Sequence, residues 1–267
     1  MARLKGTLNF TGSIGNLSAY TNRTIANTLL RKKGGPTKQQ INKSPKFKNT
    51  RRNNAEFSGA SSTAAAIKDA IGYLEYLDHT SFQSRLVSIC CDIKKLDTEN
   101  DWGQRSYYVS RCRYWLEGFQ LEMGTQFDSI IKHPLQCSIN RNELSASIFV
   151  PALFPKIGLY VPGKFSFYRI TTVLGIVPDL KYSGRAYDYV PINSNIQLWR
   201  ADLSTAWFST ADISPEQNLL LQIQGETNIS DNDSLVLTVG VEFGVAASAN
   251  LIRPVTNAGA AKIMAVA

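Results

Sequence analysis

Residues 234–243 read SLVLTVGVEF, and this stretch indicates the fold most directly. Its apolar residues recur at every second position, which is the period of a β-strand with one apolar face: Leu235, Leu237, Val239, Val241 and Phe243. The stretch NLLLQIQGE (218–226) precedes it, and we expect the two to pair across the loop ISDNDS (229–234). The last stretch, NAGAAKIMAVA (257–267), is interpreted as a final strand or an anchoring segment.

Further strands are predicted upstream. LSASIFV (144–150) alternates in the same way and follows Ile139 across NRNE (140–143), a hairpin turn. KFSFYRI (164–170) places two phenylalanines on one face. Short alternating strands separated by Pro, Gly and Asn clusters are typical of an antiparallel β-sandwich, which we predict for residues 119–267.

Residues 45–118 have the helical period instead. Ser44 and Pro45 suit a helix start, and apolar stripes predict helices before and after Asp78, with a third, weaker one from Gln104 to Glu117. The predicted fold class is therefore α+β. It comprises an extended N-terminal arm with short strands (1–44), a helical layer (45–118) and a C-terminal antiparallel β-sandwich (119–267).

Charge is distributed unevenly along the 267 residues. The net charge is +8, yet the first 54 residues hold twelve basic side chains and no acidic one, and the rest of the chain has 17 basic against 21 acidic residues. Such asymmetry suggests a basic arm that meets nucleic acid, a membrane surface or an acidic face of another protein chain.

The arm has three kinds of candidate residue. Its short strands are expected to use apolar side chains, and a Gly-Gly-Pro breaker suggests a hinge. The cations of residues 31–52, which extend from the arm into the helical segment, are candidates for contact with a neighbouring copy or a polyanion. The strand residues are Leu8, Phe10, Ile14, Leu17 and Tyr20; the hinge is Gly34, Gly35 and Pro36; the cations are Arg31, Lys32, Lys33, Lys38, Lys43, Lys46, Lys48, Arg51 and Arg52.

The residue patterns of enzymes and metal sites are not found in the sequence. His79 and His133 lack ligands at metal-binding spacing, and neither a GxSxG nor a P-loop motif occurs. Acidic residues around Asp97 predict a solvated loop rather than a calcium site. We therefore predict no enzyme, cofactor or metal. The four cysteines suggest buried thiols, and without a signal peptide or an apolar span we expect cytoplasmic synthesis and no membrane span.

Several blocks resemble a family of uncharacterised proteins from Bacteroidota genomes. The similar segments are a GxIGxLSxY block, a basic Gly-Gly turn and an FxxTRxNxxEF block, followed by weaker likenesses at 103–105, 116–122 and 237–243. The matching residues are Gly12, Ile14, Gly15, Leu17, Ser18, Tyr20, Gly34, Gly35, Phe47, Thr50, Arg51, Asn53, Glu56 and Phe57. The resemblance implies no activity, but it implies that the basic arm is an integral part of the protein.

Two functions remain open at this point. The first is a non-enzymatic structural subunit that self-assembles into a filament, tube or shell by adding its arm strands to a neighbouring copy. The alternative is a nucleic-acid-binding or packaging protein, capsid-like, whose arm neutralises phosphates. Residues 45–57 are also helical by pattern, and their spacing would let Arg52 pair with Glu56 one turn later.

Overall fold

The chain divides into two compact units, Met1–Arg51 and Arg52–Ala267. The structure is a computed structural model, and it describes residues 2–3, 10–22, 25–77, 82–185, 187–225, 228–248 and 251–267. It contains both helices and extensive antiparallel sheets. The predicted α+β class is confirmed at that level.

The first unit contains a four-stranded antiparallel sheet followed by short helical turns. In the order β1-β4-β3-β2, the sheet places β2 and β1 at its two edges. Helix α1 and a 3₁₀ turn follow, and α2 begins at Lys48 and continues into the second unit. The bounds are β1 Ala2–Arg3, β2 Gly12–Ile14, β3 Leu17–Asn22, β4 Ile25–Lys32, α1 Lys38–Lys43 and the 3₁₀ turn Pro45–Phe47.

Helical segments come first in the second unit. The helix start predicted at Ser44 and Pro45 lies at the end of the first unit, where Pro45 begins a 3₁₀ turn that leads directly into α2 and the Ser44 side chain makes no capping hydrogen bond. The α-helices are α2 Lys48–Ile71, α3 Gln83–Ile93 and α4 Phe127–Ile130, and the 3₁₀ turns are Gly72–Leu77, Lys94–Leu96, Val109–Arg111 and Arg113–Trp115.

The third predicted helix, from Gln104 to Glu117, is wrong. Only the last two of those short 3₁₀ turns occur there. Tyr107 exchanges backbone hydrogen bonds with Leu180, and the amide of Ser110 donates to the carboxylate of Asp179. These backbone groups therefore bind a neighbouring strand instead of the preceding helical turn.

Two larger sheets and a small ribbon make up the β part. The five-stranded sheet has the order β10-β7-β13-β14 with β11 also on β7, the three-stranded sheet has the order β12-β6-β5, and β8 pairs with β9. The bounds are β5 Gln136–Asn140, β6 Ser145–Val150, β7 Phe167–Pro178, β8 Leu180–Tyr182, β9 Tyr189–Pro191, β10 Arg200–Ser204, β11 Phe208–Ser209, β12 Gln217–Gln222, β13 Asp233–Ser248 and β14 Leu251–Val266.

Strand β13 lies inside the large sheet, between β7 and β14, and is buried continuously over residues 233–244. The apolar face predicted from its sequence packs with β6 and β12 of the smaller sheet in one hydrophobic cluster. Its opposite face packs in a second cluster with α2, α3 and the turn Gly72–Leu77. Helix α2 packs so closely on this sheet that a methyl group on Gly175 would overlap the backbone of Ala70.

The predicted hairpin before β6 and the predicted last strand are confirmed as β5–β6 and β14. The predicted pairing of 218–226 with 234–243 is wrong. Strand β12 pairs with β6, while β13 pairs with β7 on one side and β14 on the other. Alternation shows which side chains of a strand share an apolar face, but it carries little information about which strand lies beside it.

Candidate assembly site

The hairpin β2–β3 forms one end of the N-terminal sheet. Ile14 pairs with Leu17 across the turn at Gly15 and Asn16. Gly15 has a φ of 55°, a left-handed conformation that glycine adopts without strain. Lys33 closes the same end, since its amide donates to the Asn16 carbonyl over 2.6 Å and its ammonium donates to the Gly15 carbonyl over 3.1 Å.

Two apolar side chains of this hairpin face solvent. Ile14 is 61% exposed and Leu17 is 38% exposed, whereas Ala19 and Leu29 are buried. Of the other predicted strand residues, Phe10 and Tyr20 are half-buried, Phe10 precedes the strand β2, and Leu8 lies outside the described residues. The apolar pair is therefore available for contact at a sheet edge.

The predicted hinge connects β4 to α1. Gly34, Gly35 and Pro36 are all exposed, and Gly35 has a left-handed φ of 101°. Thr37 then caps α1, because it accepts from the Gln40 amide while the Gln40 side chain accepts from the Thr37 amide. The breaker thus separates the sheet from a well-defined helix start.

Four of the nine predicted contact cations have internal roles. Arg51 donates from Nη1 to the carbonyls of Ile41 and Ser44, at 2.6 and 2.9 Å, and so satisfies the C-terminal end of α1. The Arg31 guanidinium lies over the ring of Tyr20, and that of Arg52 lies over Trp102. Lys33 holds the hairpin turn described above.

The other five cations are lysines with exposed side chains. Within the described residues, none of them forms an ion pair or a side-chain hydrogen bond. No acidic residue precedes Glu56 in the sequence, so the N-terminal unit contains no carboxylate side chain to neutralise them. They are Lys32, Lys38, Lys43, Lys46 and Lys48.

Glu56 forms a buried charge cluster that the sequence did not reveal. The spacing allowed a pair with Arg52, but Glu56 Oε2 lies 2.8 Å from Lys94 Nζ and Oε1 accepts from the Gly103 amide over 3.0 Å. Arg105 Nε lies 3.8 Å from Oε1, and the Tyr107 hydroxyl donates to the Glu56 carbonyl. This cluster connects α2 to the loop around Gly103.

In the acidic loop predicted to be solvated, Glu99 and Asp101 are exposed as expected, but Asp97 is buried, which corrects the prediction for that residue. Its carboxylate accepts from the amides of Glu99, Asn100 and Ser106 and from the Asn100 side chain. Burial acts to raise the pKa of Asp97, but these hydrogen bonds outweigh it and the pKa lies below its ordinary value. The side chain therefore organises the loop.

The structure groups no set of three or more potential metal ligands among the residues it describes, and His79 lies outside them. All four cysteines are free, and burial raises the pKa of Cys112 and Cys137 to about 11. No helix in the described ranges has the length and apolarity needed to cross a membrane.

Comparisons with protein-family models, with curated proteins and with solved structures found no match. The geometry of the N-terminal unit combines an exposed apolar pair at a sheet edge with five exposed lysines and no acidic side chain.

Proposed function

We propose that the protein is a non-enzymatic structural subunit that self-assembles through its N-terminal unit. In this proposal the N-terminal unit is an arm whose strands join a neighbouring copy, and the two larger sheets of the second unit form the β-sandwich that carries it. The observation that supports the proposal best is the position of Ile14 and Leu17, which are exposed beside the edge strand β2. Strand addition at a sheet edge uses backbone hydrogen bonds for affinity and side chains for specificity.

Burial within the N-terminal unit supports the same proposal. Of the side chains in this unit whose burial the structure describes, those of Ala19, Thr28 and Leu29 are buried, and most of the others are exposed. A unit of about 50 residues is only marginally stable by itself, and a further surface to pack on would stabilise it. A neighbouring copy supplies such a surface, and head-to-tail contacts of this kind propagate into polymers or close into shells.

The test replaces the exposed pair. A double variant with Ile14→Asp and Leu17→Asp is expected to remain monomeric at concentrations where the wild type assembles, as measured by sedimentation and negative-stain microscopy. The matched control is Ile157→Asp, because Ile157 is 68% exposed in the other unit and its replacement should leave assembly unchanged. Assembly of the double variant, or of a chain without residues 1–44, would contradict the proposal.

The five exposed lysines favour a second candidate function, binding or packaging of nucleic acid. If all five contact phosphates, the logarithm of the affinity for oligonucleotides should fall with the logarithm of the salt concentration at a slope of roughly −3.5 to −4.5. Replacing Lys43 and Lys48 by glutamine should reduce the steepness by about 1.4 to 1.8. Assembly of nuclease-treated protein without excess absorbance at 260 nm would exclude packaging as a requirement.

A further inference from the structure

One side of the second unit has two neighbouring edge strands. Strand β10 pairs only with β7, and strand β12 pairs only with β6, in the part of the chain that the structure describes. The two strands also lie beside each other, β10 at the edge of the larger sheet and β12 at the edge of the smaller one. We call this pair of edges the β10–β12 seam.

The register of β10 shows which of its backbone groups are free. The Thr205 amide donates to the Ile170 carbonyl, so the hydrogen-bonded pairs that follow are Leu203 with Thr172 and Ala201 with Leu174. Because antiparallel strands alternate, the amides and carbonyls of the residues between them point away from β7. The free groups along the seam therefore belong to Arg200, Asp202 and Ser204.

Apolar side chains are concentrated at the same place. Leu198 and Trp199 come directly before β10, Leu203 lies in it, and Leu220 lies in β12. All four are between 37% and 70% exposed. Exposed apolar side chains next to a free strand edge are the combination that natural proteins avoid unless a partner covers it.

The opposite edge of the larger sheet is protected differently. There the segment Gly118–Leu121 runs along β14, with the amides of Gly118 and Leu121 donating to the carbonyls of Ile263 and Ala261. The chain thus covers one edge of this sheet with its own backbone. No equivalent segment covers β10 within the described ranges.

We infer that the β10–β12 seam is the acceptor surface for the β2–β3 hairpin of a second copy of this chain. The inference rests on the proposed function and names the partner surface of the same assembly. Ile14 and Leu17 are the exposed large apolar residues among the N-terminal side chains whose burial the structure describes, and they would pack against Leu198, Trp199 and Leu203. Strand β2 would add its free edge to that of β10.

Charge complementarity favours the β2–β3 hairpin of a second copy as the occupant of the β10–β12 seam. Residues 198–222, which contain both seam strands, have one basic residue, Arg200, against the three acidic residues Asp202, Asp212 and Glu216. The incoming unit has basic side chains and no acidic ones. Opposite charges steer the two surfaces together, and like charges discourage seam-to-seam or arm-to-arm pairing.

Disulfide cross-linking between separately purified variants tests the inference. A chain with Ile14→Cys is mixed with one carrying Leu198→Cys or Leu203→Cys, oxidised, and examined by non-reducing gels and peptide mass spectrometry. The control acceptor is Leu251→Cys, since Leu251 is 61% exposed on β14 and away from the seam strands in the sheet order. The wild type, oxidised in parallel, gives the background from the four native thiols.

A bridged dimer between position 14 and a seam position, absent with the Leu251→Cys partner, is the expected result. Equal yields at the seam and at the control, bridging at neither seam position, or dimers of Ile14→Cys with itself would overturn the inference. If the wild type assembles, loses assembly with Ile14→Asp and Leu17→Asp, and still gives no seam cross-link, only the acceptor surface is wrong. If the wild type does not assemble, the proposed function fails and the inference fails with it.

Discussion

Replacing Glu56 by glutamine should destabilise the second unit strongly, although the two side chains have nearly the same shape. Glu56 is 2% exposed, and its partners Lys94 and Arg105 are 18% and 33% exposed. Glutamine can still accept from the Gly103 amide, but it leaves both cations without their carboxylate. Removing one partner of a buried pair costs about 3–5 kcal/mol. Because Lys94 and Arg105 retain some access to water, we expect a loss of about 2–4 kcal/mol in the free energy of unfolding.

Urea unfolding, followed by tryptophan fluorescence and circular dichroism, measures this loss. The control is Glu75→Gln, which breaks a pair with Lys68 in which both side chains are more than 40% exposed and which should cost less than about 1 kcal/mol. A double variant with Lys94→Met in addition to Glu56→Gln should recover part of the loss, since it removes the unpaired cation. Equal losses of unfolding free energy for Glu56→Gln and Glu75→Gln would refute the conclusion that Glu56 is the centre of a buried charge cluster.

Two further perturbations test the packing of the second unit. Burial raises the pKa of Asp179 to about 6 despite hydrogen bonds from Ser110, so ionising this carboxyl in the folded protein costs stability. The folded state is therefore favoured fully below pH 4, and this advantage is lost as the pH rises through 6. Asp179→Asn should therefore gain on the order of 3 kcal/mol relative to the wild type between pH 4 and pH 7 in urea unfolding, and a constant difference would contradict this. Gly175→Ala should cost about 1–3 kcal/mol because the new methyl group overlaps Ala70, whereas Gly34→Ala, which meets open space, should stay within about 0.5 kcal/mol by the same assay.

The features that the sequence predicts well are those that depend on local periodicity. Alternation from Leu235 to Phe243 identifies the face of β13 that packs against the smaller sheet, because successive side chains of a strand point to opposite sides. The hairpin at residues 140–143 follows from its turn residues between two alternating runs. In both cases the pattern that supports the prediction spans only a few consecutive residues.

The features that it misses depend on residues far apart in the chain. Lys94 is 38 residues from Glu56, and nothing in the helical spacing distinguishes it from Arg52 as a partner. Residues 104–117 have a helical stripe, but Leu180 and Asp179 provide backbone partners that compete with helix formation. Tertiary hydrogen bonds of this kind outweigh propensity, which amounts to only tenths of a kcal/mol per residue for most residue types.

The exposed lysines connect the two candidate functions, and salt alone cannot separate them. High ionic strength screens contacts of Lys32, Lys38, Lys43, Lys46 and Lys48 with carboxylates of a neighbouring copy as much as contacts with phosphates. A competing polyanion does separate them. If the lysines meet carboxylates, short polyphosphate should occupy them and inhibit assembly at constant ionic strength. If they meet nucleic acid, an oligonucleotide long enough to span several subunits should promote assembly instead. Because the two outcomes have opposite sign, light scattering with each polyanion decides which acidic surface these side chains contact.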